Sequence, residues 1–301
     1  MDNNKQASSK PEEDLASRFP TAYTILFLLI ALVAALTWII PAGHQLVITH
    51  GKGPQVGLLA LKGAAYKPEE AYPLDVLGAE TDSMIGYIIE QELENALDHH
   101  RPLATLFTQV LVDKNDPAFS NPRKFVGPTY DKAEAESKAT AAGWHIAQDG
   151  DKWRRVVPSP QPLEIPDLRV LKLLLAQGVV IICAGGGVPI LRREDGSLMD
   201  VEAVIDKDAA SALLARQLGA DALLLLTDEA AIYRDFDKDT AALILSLTLD
   251  EARNLNLSAC SMGPKLTAAS DFASSGGLSG IGRLEDALAI LERRAGACVT
   301  G

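Results

Sequence analysis

Three lysines stand where a side chain can meet an anion. Lys207 sits between two carboxylates in "VIDKDAA", at the predicted start of a helix. Lys265 enters another helix behind the Gly-Pro turn of "SMGPKLTAA", and Lys114 ends a strand in "VDKNDPAF". A lysine in a first helical turn opposes the helix dipole, so Lys265 points to something anionic nearby. Two glycine turns accompany them: Gly51-Lys52-Gly53-Pro54 after "QLVITH", and Gly185-Gly186-Gly187 after "GVVIICA". Glycines let backbone amides close on an anion, and sites in open α/β sheets gather at the carboxyl ends of strands. Phosphoryl transfer is the chemistry such a set can do, because it needs in-line positioning and positive charge more than covalent help. Each feature also has a plainer reading. A glycine turn after a strand is usually only a turn, and Asp206 can cap a helix whose Lys207 faces water. The second turn is neither a Walker loop nor a dinucleotide fingerprint, since the required lysine and hydroxyl do not follow it.

These residues must be held by something, and the pattern around them alternates short apolar runs with amphipathic stretches. "QLVITH", "LATLFTQVLV", "GVVIICA" and "DALLLLT" read as buried strands. Leu77, Met84, Ile85, Ile88, Ile89, Leu93 and Leu97 fall at helical spacing as a core-facing stripe. Further helices are predicted around Asp131–Ala142, Pro166–Gln177, Asp208–Leu218, Gly263–Ser275 and Leu284–Arg294. Strands alternating with helices predict an α/β fold, a mainly parallel sheet covered on both faces. Residues 119–164, rich in proline, charge and tryptophan, break that rhythm and read as a lid above the sheet.

Composition narrows the partners. A formal net charge of −12 over 301 residues argues against nucleic acid, which is bound by basic surfaces. Cys183, Cys260 and Cys298 are odd in number and widely spaced, as free thiols of a reducing cytoplasm are. Neither they nor the five histidines show metal-ligand spacing; His99 and His100 read as solvated helix-end residues.

The amino-terminal part is different. Residues 1–18 form a polar tail of mixed charge, and no charged residue occurs from Phe19 to Gly43. Between Pro20 and Pro41 lie about twenty residues, enough to cross roughly 30 Å of hydrocarbon as a helix. The stretch reads either as a membrane span, giving membrane contact through residues 20–41, or as a fully buried helix of a soluble domain. It runs without a linker into "GHQLVITH".

From about Gly43 to Gly301 the chain resembles carbamate kinase, a member of the amino-acid kinase family. The resemblance rests on "LVITHGKGPQVG", "LDVLGAETDSMIGYII", "TQVLVDKNDPAFSNPRKFVGPTYD", "WRRVVPSPQPLEI", "VEAVIDKDAASALLA", "LLLLTDEAAIY" and "SMGPKLTAA". It implies an open αβα sandwich with a small lid subdomain, usually a homodimer, within residues 44–301. It also implies reversible phosphoryl transfer between carbamoyl phosphate and ADP with Mg2+, giving ATP and carbamate, as in fermentative arginine breakdown by cytoplasmic enzymes. On this resemblance Lys114, Lys207 and Lys265 are the transfer lysines and Asp208 orients them. Gly51, Lys52 and Gly53 face the carbamoyl side with Gly185 and Gly186 nearby, and Asp228, Tyr233, Met262 and Lys265 face the nucleotide. No protein metal site is implied.

Several positions depart from the family pattern. Lys52 replaces an asparagine, Ala184 a fourth glycine, Glu229 and Ala230 a valine and an aspartate, and Cys260 a glycine. Residues 1–42 lack the family's first strand and "GGNA" phosphate loop, and resemble instead the start of a multispanning membrane carrier. A second reading is therefore a kinase remnant, truncated or fused, with impaired catalysis and a membrane segment attached.

Overall fold

A computed structural model describes residues 44–67, 70–97, 101–183, 185–235, 240–255, 257 and 262–301. The apolar stretch 19–43, His99, His100, Ala184 and Cys260 lie outside the described residues. Among those described, no helix is long and apolar enough to cross a membrane.

The elements run β1 (Val47–Ile48), α1 (Gly53–Tyr66), α2 (Leu74–Ala96), β2 (Leu103–Leu106), β3 (Gln109–Val112), β4 (Lys124–Tyr130) and α3 (Lys132–Ala142). Then come β5 (His145–Asp149), β6 (Lys152–Val157), β7 (Pro162–Glu164), α4 (Leu168–Ala176), β8 (Val180–Cys183), β9 (Val188–Arg192) and β10 (Leu198–Asp200). The carboxyl-terminal part holds α5 (Lys207–Leu218), β11 (Ala222–Thr227), β12 (Ile232–Arg234), β13 (Ala242–Ile244), β14 (Ser246–Thr248) and α6 (Leu249–Asn254). It ends with α7 (Met262–Ala273), β15 (Leu278–Arg283), α8 (Ala287–Leu291) and β16 (Ala297–Thr300).

Two sheets carry the core. In the first, β8 lies between β1 and β2 and is parallel to both. Its side chains alternate by the period of two of any strand: Val180 and Ile182 join Ile89 and Leu93 of α2, while Ile181 and Cys183 join Leu171 and Leu175 of α4. Val180, Ile181 and Ile182 are each fully buried, at about 1.5–3 kcal/mol of favourable burial apiece. In the second sheet the order is β11-β15-β16-β14. There α5 and α7 cover one face, and Ile290 of α8 packs on Gly280 and Gly282 of β15 from the other.

The first sheet is parallel throughout and the other two are mixed, so the mainly parallel expectation holds in part. Within the second sheet β15 and β16 are antiparallel, whereas β11–β15 and β14–β16 are parallel. A third sheet, β10-β9-β3-β7, combines a parallel β3–β9 pair with antiparallel edges. One predicted strand also divides, and the predicted glycine turn separates two strands of different sheets. "LATLFTQVLV" breaks at Phe107–Thr108 into β2 and β3, and the run after "VVIIC" breaks at its glycines into β8 and β9. Both halves pair β2 with β8 and β3 with β9, so two parallel chain segments pass together from one sheet to the next. Periodicity cannot show this, because both halves of each run are equally apolar. Met84 of the predicted α2 stripe is exposed.

Residues 124–157 form a regular three-stranded antiparallel sheet, β4-β6-β5, with α3 against it. Cations over aromatic rings explain its unusual composition: Arg155 over Trp144, Lys132 over Trp153, Lys138 over Tyr130 and Arg154 over Phe125. Such pairs hold a small sheet together where apolar side chains are few. The sheet sits on α1, where Gly57 meets the backbone of Gly127 so closely that an added Cβ would lie 2.7 Å from its Cα.

Candidate active site

The amino end of α5 is the centre of the site. Asp206 caps it, its Oδ1 accepting from the amides of Asp208 (3.0 Å) and Ala209 (3.2 Å), and Gly219 closes it in the left-handed conformation at φ +70°. With both ends fixed, Lys207 and Asp208 are set in the first turn. Asp208 is almost wholly buried and receives two ammonium groups: Lys207 Nζ at 2.5 Å from Oδ1 and Lys265 Nζ at 3.1 Å from Oδ2. Lys265 comes from the first turn of α7, which packs along α5. One carboxylate thus holds two lysines that would otherwise repel each other.

The electrostatics differ between the two. Burial opposes the charge on Lys207, but Asp208 and Asp206 outweigh it and raise its pKa. Lys265 is lowered, by burial first and by the neighbouring Lys207 second, against the pull of Asp208. Side-chain exposures of 40% for Lys207 and 12% for Lys265 agree: the first reaches toward solvent and the second is enclosed.

A third cation joins from the small sheet. Lys124 opens β4 and its Nζ lies 2.5 Å from Asp206 Oδ2, so the same aspartate that caps α5 also ties that sheet to it. Burial alone would raise the Asp206 carboxyl; the Lys124 ammonium and the Ala209 amide outweigh burial and lower it. Beside Lys124 opens a cavity of about 330 Å³ lined by Pro117, Ala118, Asn121, Arg123 and Ser159.

The glycine turns approach the same point. A Cβ on Gly51 would lie 3.0 Å from Lys207 Cδ, so this turn rests on the lysine's stem. A Cβ on Gly186, at φ +94°, would lie 2.8 Å from the carbonyl oxygen of Ile205, one residue before the cap. Gly185 packs against His50 and Asp82, and Gly53 begins α1. The structure therefore brings together Lys207, Asp208, Lys265, Gly51 and Gly186. Lys114 stands exposed in the turn after β3 and shares no ion pair or hydrogen bond with that cluster among the described residues. Lys124, passed over in the sequence, takes the place expected of Lys114; its signal lay in the matched stretch "NPRKFVGPTYD".

Lys52 is the sharpest difference from the sequence reading. Its side chain turns inward, 5% exposed, and donates to Asp82 Oδ2 (2.8 Å), the Gly187 carbonyl (2.9 Å) and the Gly78 carbonyl (3.2 Å). All three protons are used within the protein. Of the residues expected at the nucleotide, Tyr233 lies on β12 and Met262 starts α7, while Asp228, exposed, follows β11 and accepts from Thr227 Oγ1. Among the described residues no group of three carboxylate, thiol or imidazole side chains gathers to hold a metal.

Known proteins match this chain in sequence and in fold. The model of the amino acid kinase family covers residues 24–281. Carbamate kinase of Rhizobium meliloti is 51% identical over 265 residues, spanning 87% of this chain and 82% of the relative. The chain belongs to the carbamate kinases. That of Haemophilus influenzae is also 51% identical, over 85% of this chain and 84% of its own. Among solved structures, carbamate kinase from Giardia lamblia bound to citric acid superposes with a TM-score of 0.84 at 35% identity, covering 98% of this chain and 94% of that one. The same Giardia enzyme bound to AMP-PNP gives a TM-score of 0.82.

Proposed function

We propose that this kinase transfers a phosphoryl group between carbamoyl phosphate and ADP at the cluster formed by Lys207, Asp208, Lys265 and Lys124. The observation that carries this reading is the sharing of one buried carboxylate by two ammonium groups. Asp208 fixes both lysines before any ligand arrives, and preorganised charge is what stabilises a migrating phosphoryl group. Lys207, the more exposed, reaches toward the transferring oxygens; Lys265 enters from the side of Met262 and Tyr233, where the nucleotide is assigned. Lys124 brings the small sheet down on the other side, and the turns at Gly51 and Gly186 present backbone to the carbamoyl phosphate. Mg2+ travels with the nucleotide phosphates, which suits a site with no cage of protein ligands. Exposed Met84 and Tyr87 on α2 and Phe107 beyond β2 offer an apolar surface for a homodimer. Both substrates are charged metabolites kept within cells, which supports a cytoplasmic kinase domain. The test is ATP formation from ADP and carbamoyl phosphate with Lys207→Ala beside the parent. A variant keeping more than about a tenth of parent turnover removes Lys207 from the mechanism.

A second reading, impaired turnover, is favoured by one observation. Among the described residues β1 pairs only with β8, and β11 only with β15. Helix α5 contributes to an apolar cluster on each side, sharing one with Val47 through Leu213 and Leu214 and the other with Leu225 through Ala212 and Ala215. Among the described residues each of these strands thus has one unpaired edge, and the resemblance places near there the strand that leads to the family's phosphate loop. A chimera carrying a family-like strand and loop in place of residues 1–42 would then turn over at least about a thousandfold faster than the parent. Comparable turnover refutes the impaired reading.

A further inference from the structure

The strongest departure from the family in the first glycine turn is Lys52, and the contacts of its ammonium are with the protein's own groups. Its ammonium reaches three acceptors on two separate pieces of chain: the Gly187 carbonyl in the second glycine turn, and in α2 the Gly78 carbonyl and Asp82 one turn further along that helix. Lys52 itself immediately precedes α1. Three segments distant in sequence therefore meet at one nitrogen.

Both glycine turns lean on the catalytic helix from this knot. Gly51, next to Lys52, contacts the Lys207 stem, and Gly186, next to Gly187, contacts the Ile205 carbonyl. Gly187 has no other latitude, because a Cβ there would lie 2.4 Å from Val110 Cγ2. Lys52 apart, the turns are made largely of glycine, which has no side chain to hold it and whose backbone is the most costly to order. A fixed bond from outside removes that cost before a ligand binds.

We propose that Lys52 is a positioning residue: its buried ammonium ties the turn at Gly51–Gly53 to the turn at Gly185–Gly187, and so holds the anion-facing backbone in register with Lys207. This rests on the function proposed above. Asp82 is the counter-charge that makes a buried ammonium tolerable, for a lone buried charge is strongly destabilising. The bond to Gly187 is what serves the site. The two roles separate by mutation. Asp82→Asn keeps the lysine, an amide oxygen to accept from it and the bond to Gly187, at a loss of stability because the ammonium loses its counter-charge; Lys52→Met/Asp82→Asn removes the bond and both charges together.

The test measures melting temperature and, without nucleotide, the affinity for carbamoyl phosphate and for inorganic phosphate by calorimetry. Lys52→Met alone strands Asp82 and loses both stability and affinity. In the double variant the melting temperature recovers most of that loss, while affinity for both anions stays at least tenfold weaker than in the parent. Asp82→Asn binds them within about threefold of the parent. A double variant with parental affinity, or an Asp82→Asn as weak as the double, overturns the proposal. A double variant that fails to fold leaves Asp82→Asn to decide by the same limits. A parent that binds phosphate but makes no ATP refutes the proposed function alone, and the phosphate titrations still judge Lys52.

Discussion

Asp208→Asn is the sharpest perturbation of the site, because it removes charge and almost no volume. The carboxylate is 8% exposed and lies 3.1 Å from Lys265, itself 12% exposed, so that contact is a buried pair. Losing one partner of such a pair costs about 3–5 kcal/mol. The 2.5 Å contact to Lys207 adds little, since that lysine is 40% exposed and water screens it. An asparagine still accepts one hydrogen bond, so a net loss of about 3 kcal/mol is expected, near the low end. For a chain of this size that lowers the melting temperature by roughly 6–12 °C. The catalytic loss is larger in effect than the loss of fold. Two ammonium groups without their shared carboxylate repel and separate, and the loss of preorganised charge typically costs about 100- to 1,000-fold in kcat. The pH profile gives an independent signature. Burial and Lys207 already lower the Lys265 pKa, and Asp208 is the group that opposes them. Without that carboxylate the ammonium is lost at lower pH, so the alkaline limb of activity moves toward neutrality. The assay is ADP-dependent ATP formation from pH 6 to 10, well below the melting temperature. A variant with more than a tenth of parental kcat and an unmoved alkaline limb would refute the account of two lysines held by one carboxylate.

Three more outcomes follow from the same structure. Asp206 is held below the ordinary carboxylate range, so its pairing stabilises the fold above that range and is lost as pH falls through the lowered folded value. Asparagine caps a helix as well as aspartate does, so Asp206→Asn should cost only the partly exposed Lys124 pair, about 1 kcal/mol at pH 7, with a smaller difference at pH 2 in denaturant melts. An equal difference at both pH values contradicts this. Gly57→Ala should lower stability by about 1–3 kcal/mol although alanine favours helix, because its Cβ would meet the Gly127 backbone rather than a movable side chain; a higher melting temperature would show that the small sheet can shift. Burial pushes the Cys183 thiol up to about 12, so mass mapping after alkylation at pH 8 should find it unmodified in the folded protein and modified after unfolding.

Much of this protein was legible in its residues. Local rules act within a few positions, so the Asp206 cap and the placing of α3, α4, α5 and α7 came within a few residues of the observed bounds. The buried strands were equally plain, since nothing but a covered sheet explains "VVIIC" or "ALLLLT". Lys207, Asp208 and Lys265 stood out because helix starts are where anions bind. Pairing was beyond reach, because the partner of a strand is fixed by what lies beside it and not by its own pattern; hence the mixed sheets and the two runs that change sheet at Phe107–Thr108 and at the glycines. Side-chain direction was the other gap. Lys52 and Lys124 look alike as lysines beside a glycine or proline turn, yet one turns inward to Asp82 and Gly187 and the other crosses to Asp206. A flexible four-carbon stem can reach either way, and only the acceptors assembled by the tertiary fold decide which.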